Sequence, residues 1–259
     1  LDALIAITWV QMFFILGVGS YLYTEFFGRF FNKYIPYTVK RVRHPNPVTT
    51  EVTLEAKQNP IKPHRAGQFI FVRFPGSKAL NESHPFTISS APNEDTLRLT
   101  VKVSGDFTER LFDQLEPGMD AVVEGAYGLF DYKQGHKEQI WVAGGIGLTP
   151  FLSFIRNFEG PSEFEIDFFY ALRQEEDALF LDEIQAAAAA NPGFRVHIRY
   201  TSEAGSITVD EIIDTVGPEF INRSMFMCGP RGMVKDFSDQ FRSLGVPASQ
   251  VYYEEFRLR

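Results

Sequence analysis

Three rhythms of hydrophobic and polar residues follow one another along the chain. From Ala3 to Thr24 there is no charged residue in 22 positions, and the apolar side chains favour no single helical face. From Tyr37 to about Tyr132 the pattern breaks into short β-branched and aromatic runs bounded by Pro, Gly and Asn: YTVKRVR, TTEVTLEA, QFIFVRF, PFTISSA, LRLTVKV and DAVVEGA. Such runs predict six strands, and FTERLFDQL predicts one helix before the last of them. Six short strands with one helix fit a small closed antiparallel barrel. From about Gln139 the chain alternates. Strands are predicted at QIWVAG, 163–170, FRVHIRY, MFMCG and VYYEE, and helices at 149–158, near 177–190, at 208–215 and at 230–243. Strict β/α alternation predicts a parallel sheet with helices on both faces. Ligands of such sheets gather at the carboxyl ends of the strands.

Length decides what the first rhythm is. About 20 apolar residues cross a bilayer. A signal peptide would carry a basic leader and a small-residue cleavage site, and a buried soluble helix would be one-sided; neither feature is present. A transmembrane helix is therefore expected over 1–31, a linker over 32–36, the barrel over 37–135 and the α/β domain over 136–259, with the HKE run near 136 at the junction. Arg29, Lys33, Lys40, Arg41 and Arg43 follow the span, so the positive-inside rule predicts a cell-membrane protein whose remaining chain is cytoplasmic. The abrupt Leu-Asp start reads as the last span and tail of a longer membrane protein.

Composition narrows the chemistry. A hydrophobic content of 44% with 15% aromatic residues suits a well-packed core. The net charge of −8 argues against broad nucleic-acid binding. Cys228 is the only cysteine, which excludes an internal disulfide and a cysteine-rich metal site; no metal site is expected.

The stretch AGGIGLTP, 143–150, joins a predicted strand to a predicted helix. Thr149 is expected as the N-cap and Pro150 as the first helical residue. Free N–H groups and the helix dipole would then converge on one spot, which suits a phosphate; a tight β–α connection with glycines for geometry alone is the other reading. The next strand ends at Arg173, where a Rossmann dinucleotide site would place an acidic residue.

Four separated motifs, in order, carry a resemblance: HPFTISS at 84–90, preceded by RAGQFIFVRFP; VKVSGDFTERL at 101–111; the glycine turn ending in Pro150; and CGP at 228–230 with the closing EEF. Together they resemble the ferredoxin–NADP reductase-like flavoproteins, and more narrowly the dehydrogenase domain of the NADPH oxidase and ferric reductase branch joined to its last membrane helix. The likeness covers roughly 37–259.

The resemblance implies FAD in the barrel and NADPH, with NADH tolerated, on the α/β domain. His84 would lie near the flavin phosphates, Phe86 against the flavin or its ribose, and Thr87 at flavin N5, with Pro85 and Ser89 on the same strand. Gly105, Thr108 and the helix start would hold the flavin pyrophosphate, with Lys102 adding charge. Gly144, Gly145, Gly147, Thr149 and Pro150 would hold the nicotinamide dinucleotide's pyrophosphate, and a side chain at Gly147 would occupy the phosphate space. Arg173 would meet the adenosine 2′-phosphate. Cys228, with Gly229 and Pro230, would lie beside the nicotinamide C4, Glu254 near the reaction centre, and Phe256 over the isoalloxazine, from which a nicotinamide displaces it. Arg257, Leu258 and Arg259 follow Phe256, where the oxidase branch often ends on the aromatic.

The implied reaction is hydride transfer from NADPH to FAD, then single electrons to membrane haem and on to O2, as in a superoxide-generating oxidase, or to ferric iron. The span holds no histidine, so haem would belong to helices upstream. Two alternatives stand beside this reading. One is a membrane-anchored flavin reductase with a soluble acceptor. The other is a nucleotide-binding regulatory subunit whose flavin does not turn over.

Overall fold

The computed structural model of the chain describes residues 2–23, 34–61, 64–158, 160 and 162–255. It divides into two compact units, Leu1–Tyr34 and Ile35–Arg259.

The first unit holds helix α1 (Asp2–Leu22). Trp9, Phe13, Phe14, Ile15 and Leu16 are all exposed. By length and composition the helix can cross a membrane. Arg29 and Lys33 lie outside the described residues. Lys40, Arg41 and Arg43 are not a loop after the span: they belong to the first barrel strand, where Lys40 pairs with Glu55 and Arg43 with Glu51. The charges of Lys40 and Arg43 are spent on cross-strand pairing.

The second unit opens with β1 (Ile35–Asn46), which starts inside the stretch expected as linker. There follow β2 (Thr49–Ala56), β3 (Phe69–Arg73), β4 (His84–Thr87), β5 (Thr96–Lys102), helix α2 (Asp106–Gln114) and β6 (Asp120–Tyr127). All neighbours are antiparallel, in the order β4-β3-β6-β1-β2-β5. An antiparallel bridge between Ile88 and Leu99, with Ser89 N–H donating to the Arg98 carbonyl at 2.7 Å, closes β4 onto β5. The barrel core follows the two-residue period of strands: Val52 and Leu54, Ile70 and Val72, and Leu97, Leu99 and Val101 all point inward. Phe107 and Leu111 of α2 plug it.

Then the rhythm changes as the sequence predicts: β7 (Glu138–Gly144), α3 (Thr149–Arg156), β8 (Glu165–Leu172), α4 (Leu181–Ala190), β9 (Phe194–Tyr200), α5 (Thr201–Ala204), α6 (Val209–Val216), β10 (Ser224–Gly229), α7 (Arg231–Ser243) and β11 (Val251–Glu255). The sheet is parallel throughout, ordered β11-β10-β7-β8-β9. Alternation along β7 divides its core in two. Trp141 faces α3 and α4 with Phe151, Phe168 and Phe194, while Ile140 and Val142 face α6 and α7 with Ile212 and Phe237.

The alanine-rich helix begins at Leu181, later than near 177, because a 3₁₀ turn (Glu175–Asp177) and a left-handed residue, Phe180, precede it. At the opposite edge of the sheet from its ligand side, Asp167 is ringed by Arg195 (2.8 Å), Arg223 (2.7 Å) and His197 (3.0 Å). Burial alone would raise its carboxyl. The three partners overcome that and hold it far below the ordinary range, pinning the starts of β8 and β9 and the approach to β10.

Candidate active site

The glycine turn differs locally from its expectation. Gly145 takes a left-handed φ of +54°, which favours glycine. From there the chain enters a 3₁₀ turn, Gly145–Leu148, that runs straight into α3. Thr149 is therefore the first helical residue and Pro150 the second. Leu148 holds the cap position, and no side chain caps the helix. A Cβ on Gly145 would meet nothing within 4 Å, so this side of the turn is open. Gly147 faces the other way. A Cβ there would lie 2.2 Å from the Cys228 carbonyl oxygen and 2.7 Å from Gly229 N. Its missing side chain makes room for the end of β10, not for a phosphate. Gly144 and Gly229 serve the same packing: a Cβ on either would lie within 3 Å of the Met233 side chain.

Parallel pairing then puts Cys228 beside Ala143 of β7 and opposite Glu254 of β11. Cys228 is fully buried. Burial, and behind it the Glu254 carboxylate, push its thiol well above the ordinary value. The thiol stays neutral and is no nucleophile. Glu254 is raised by burial to about 7, and its Oε2 is a buried oxygen with no hydrogen-bond partner among the described residues. A carboxyl with that value can hold or give up a proton near neutrality. Phe256, Arg257, Leu258 and Arg259 lie outside the described residues.

On the barrel, β4 register pairs His84 with Val72 and Phe86 with Ile70, and Pro85 and Thr87 with the outward Phe71 and Phe69. The His84 ring stacks on Phe107 of α2 at 3.8 Å, and Phe86 follows at 6.3 Å. His84 Nε2 and Thr87 Oγ1 are buried without a hydrogen-bond partner among the described residues, although Glu82 stands 3.5 Å from the imidazole. Ser89 is turned into the barrel, where its hydroxyl meets the Arg98 carbonyl (3.1 Å) and Thr100 (3.2 Å). Thr108 accepts from the N–H groups of Ser104 (2.8 Å) and Gly105 (3.1 Å), so its hydroxyl is used in shaping the turn. Gly105 is extended, with open space where a side chain would stand, and the turn there does not require glycine. Lys102 is exposed at the end of β5. Arg173 is exposed just past β8 and forms no ion pair among the described residues.

The sequence reading missed two polar side chains on the apolar α3. Ser153 and Arg156 reach across to the barrel just after β4. A serine and an arginine on the face of a helix that is otherwise buried were the available signal.

Comparison with known proteins matches residues 49–142 to an FAD-binding domain and residues 141–239 to an oxidoreductase NAD-binding domain. The chain pairs an FAD-binding domain with an oxidoreductase NAD-binding domain. The reductase component of propane 2-monooxygenase from Rhodococcus jostii is 26% identical over 233 residues, 83% of this chain and 62% of that protein. A flavohemoprotein of Xylella fastidiosa is 25% identical over 228 residues, 84% of this chain and 57% of its own. The chain thus spans about six tenths of the length of these relatives. In fold it is similar to the flavohem-like FAD/NAD-binding domain of nitric oxide dioxygenase from Vibrio cholerae, with a TM-score of 0.74 at 21% identity over 86% of this chain and 98% of that one. A ferredoxin NADP+ reductase from Neisseria gonorrhoeae, solved with bound FAD and NADP, gives 0.69 at 20% identity over 86% and 98%.

The two domain matches support FAD and NAD(P)H as the chain's cofactors. Its own atoms fit them. On β4, Thr87 Oγ1 is buried without a hydrogen-bond partner among the described residues and His84 Nε2 has only Glu82 at 3.5 Å, and the turn after β7 is open at Gly145.

Proposed function

We propose that the chain is the NADPH-oxidising dehydrogenase module of a membrane flavocytochrome, passing electrons onward to haem and then to O2, or to ferric iron. The observation that supports the chemistry is the Glu254 carboxyl, whose Oε2 is buried without a hydrogen-bond partner among the described residues, beside Cys228 at the strand end faced by the glycine turn. The observation that supports the membrane setting is α1, exposed and apolar on every side, and on this reading the barrel and α/β domain are cytoplasmic.

FAD, when bound, supplies the hydride acceptor and divides the electron pair. The residues do the rest. Thr87 would offer a hydroxyl to the flavin ring, and His84, Phe86 and the start of α2 would hold the remainder of the flavin. The turn at 144–150 seats the dinucleotide's pyrophosphate. Cys228, small and neutral, leaves room for the nicotinamide, and Glu254 holds a proton at the reaction centre.

A second reading is favoured by relatives named as reductase components of oxygenases: the acceptor is a separate soluble partner. A haem spectrum of the full-length parent protein separates the two.

Arg173 stands free at the strand end where an adenosine 2′-phosphate would lie, and a guanidinium binds phosphate through two parallel bonds. Arg173→Ala is expected to raise the KM for NADPH roughly tenfold, the worth of one charged hydrogen bond, while sparing NADH. Steady-state oxidation of both nucleotides checks this, and an unchanged ratio removes Arg173 from the site.

A further inference from the structure

Two halves must be aligned for hydride transfer, and one cluster joins them. Arg156, at the end of α3, is 4% exposed. Its Nη1 donates to the Ser89 carbonyl at 2.6 Å, on the barrel. Its Nε and Nη2 grip both oxygens of Glu183, on α4, at 2.6 and 2.8 Å. Its Nη2 also stands 3.7 Å from Glu51 of β2, whose other oxygen pairs with Arg43 of β1 at 2.7 Å. One turn earlier, Ser153 donates to the Ser90 carbonyl at 2.7 Å.

Phe180 completes the cluster. Its ring lies between the two guanidiniums, 5.0 Å from Arg156 and 5.6 Å from Arg43. To be there it adopts φ 56°, ψ 30°. A bulky residue in the left-handed region costs about 1–2 kcal/mol, and such strain persists only where surrounding structure imposes it. Two cation–π contacts, one to each half, do so here.

The placement of this cluster matters more than its strength. Ser89 and Ser90 lie one residue beyond β4, which carries His84 to Thr87. Ser153 and Arg156 belong to the helix that directly continues the glycine turn. The strand proposed to hold the flavin and the turn proposed to hold the nicotinamide dinucleotide are therefore fastened together within a few residues of each. Buried ion pairs contribute little net stability against an apolar alternative, but they admit few arrangements.

We infer that Arg156 and Ser153, with Phe180 wedged between Arg156 and Arg43, are positioning residues that fix the distance between nicotinamide and flavin. This rests on the hydride-transfer reading above. Arg156, Ser153 and Phe180 are not among the residues proposed above to hold a cofactor. The cluster acts on the geometry of transfer and not on affinity.

The test uses Arg156→Lys, which keeps the charge and loses the fork, and the milder Ser153→Ala, in the full chain loaded with FAD. Stopped-flow reduction by NADPH separates rate from affinity. The limiting rate should fall roughly tenfold to a hundredfold for Arg156→Lys, as expected of a misplacement of about 1 Å. FAD content and the NADPH concentration for half-saturation should be unchanged. A second readout needs no turnover: spin labels at Asp113→Cys of α2 and Asp214→Cys of α6, both exposed, while native Cys228 is fully buried. The label-to-label distance should be single in the parent and broadened in Arg156→Lys. An unchanged limiting rate with a single distance overturns the inference, as does loss of FAD with a normal rate in the loaded fraction. If the parent's flavin is not reduced at all, the hydride reading fails, and the distance distributions alone decide whether the cluster holds the halves in one arrangement.

Discussion

Gly147→Val is expected to lower NAD(P)H-driven flavin reduction a hundredfold or more while FAD stays bound. A Cβ at 147 would lie 2.2 Å from the carbonyl oxygen of Cys228 and 2.5 Å from its carbon, both main-chain atoms that cannot rotate away. The turn and the end of β10 must part by roughly 1 Å to reach van der Waals distance. Overpacking of this kind costs about 1–3 kcal/mol, and a displacement of that size at the reacting groups costs on the order of 100-fold in rate. The barrel has its own core and should keep its flavin. Flavin absorbance, melting temperature and single-turnover rate check the three parts separately. A normal melting temperature with raised NADPH KM alone would return Gly147 to the phosphate role that the sequence suggests.

Glu254→Gln should change stability most above neutral pH. A carboxyl raised from 4.5 to about 7 by burial binds an extra proton in the folded state. Its stabilising effect is full below about 4.5, falls as pH rises to about 7, and is gone above that. The interval is worth roughly 3 kcal/mol. The flavin-free parent should therefore lose stability toward urea between those two pH values on account of this group. The glutamine variant should lose less, match the parent near pH 4 and exceed it near pH 8. Equal pH slopes for the two proteins would mean that Glu254 is solvated.

Most of the architecture was written in periodicity. The second strand, TTEVTLEA, carries its alternation so cleanly that β2 has the predicted ends, and the β/α alternation after Gln139 fixed the parallel sheet. What periodicity could not show was anything that depends on a neighbour distant in sequence. Thr149 has the chemistry of a cap, but the left-handed Gly145 starts a 3₁₀ turn that consumes the cap position. Gly147 reads as a ligand-facing glycine in a one-dimensional motif. Only the approach of β10, about 80 residues later, reveals which way its missing side chain points. Arg43 looks like a cation following a membrane span until Glu51 and Phe180 appear beside it. Cys228 and Glu254 lie 26 positions apart, and it is the β10–β11 register that sets them opposite each other. Motif resemblance supplied both residues without their environment. Burial supplied the neutral thiol and the raised carboxyl.

The most direct measurement is anaerobic stopped-flow absorbance of the FAD-loaded chain mixed with NADPH. The flavin band should bleach at a rate that saturates with NADPH concentration. A flavin that stays oxidised at saturating NADPH and NADH alike would contradict the dehydrogenase reading and leave a nucleotide-binding protein without turnover.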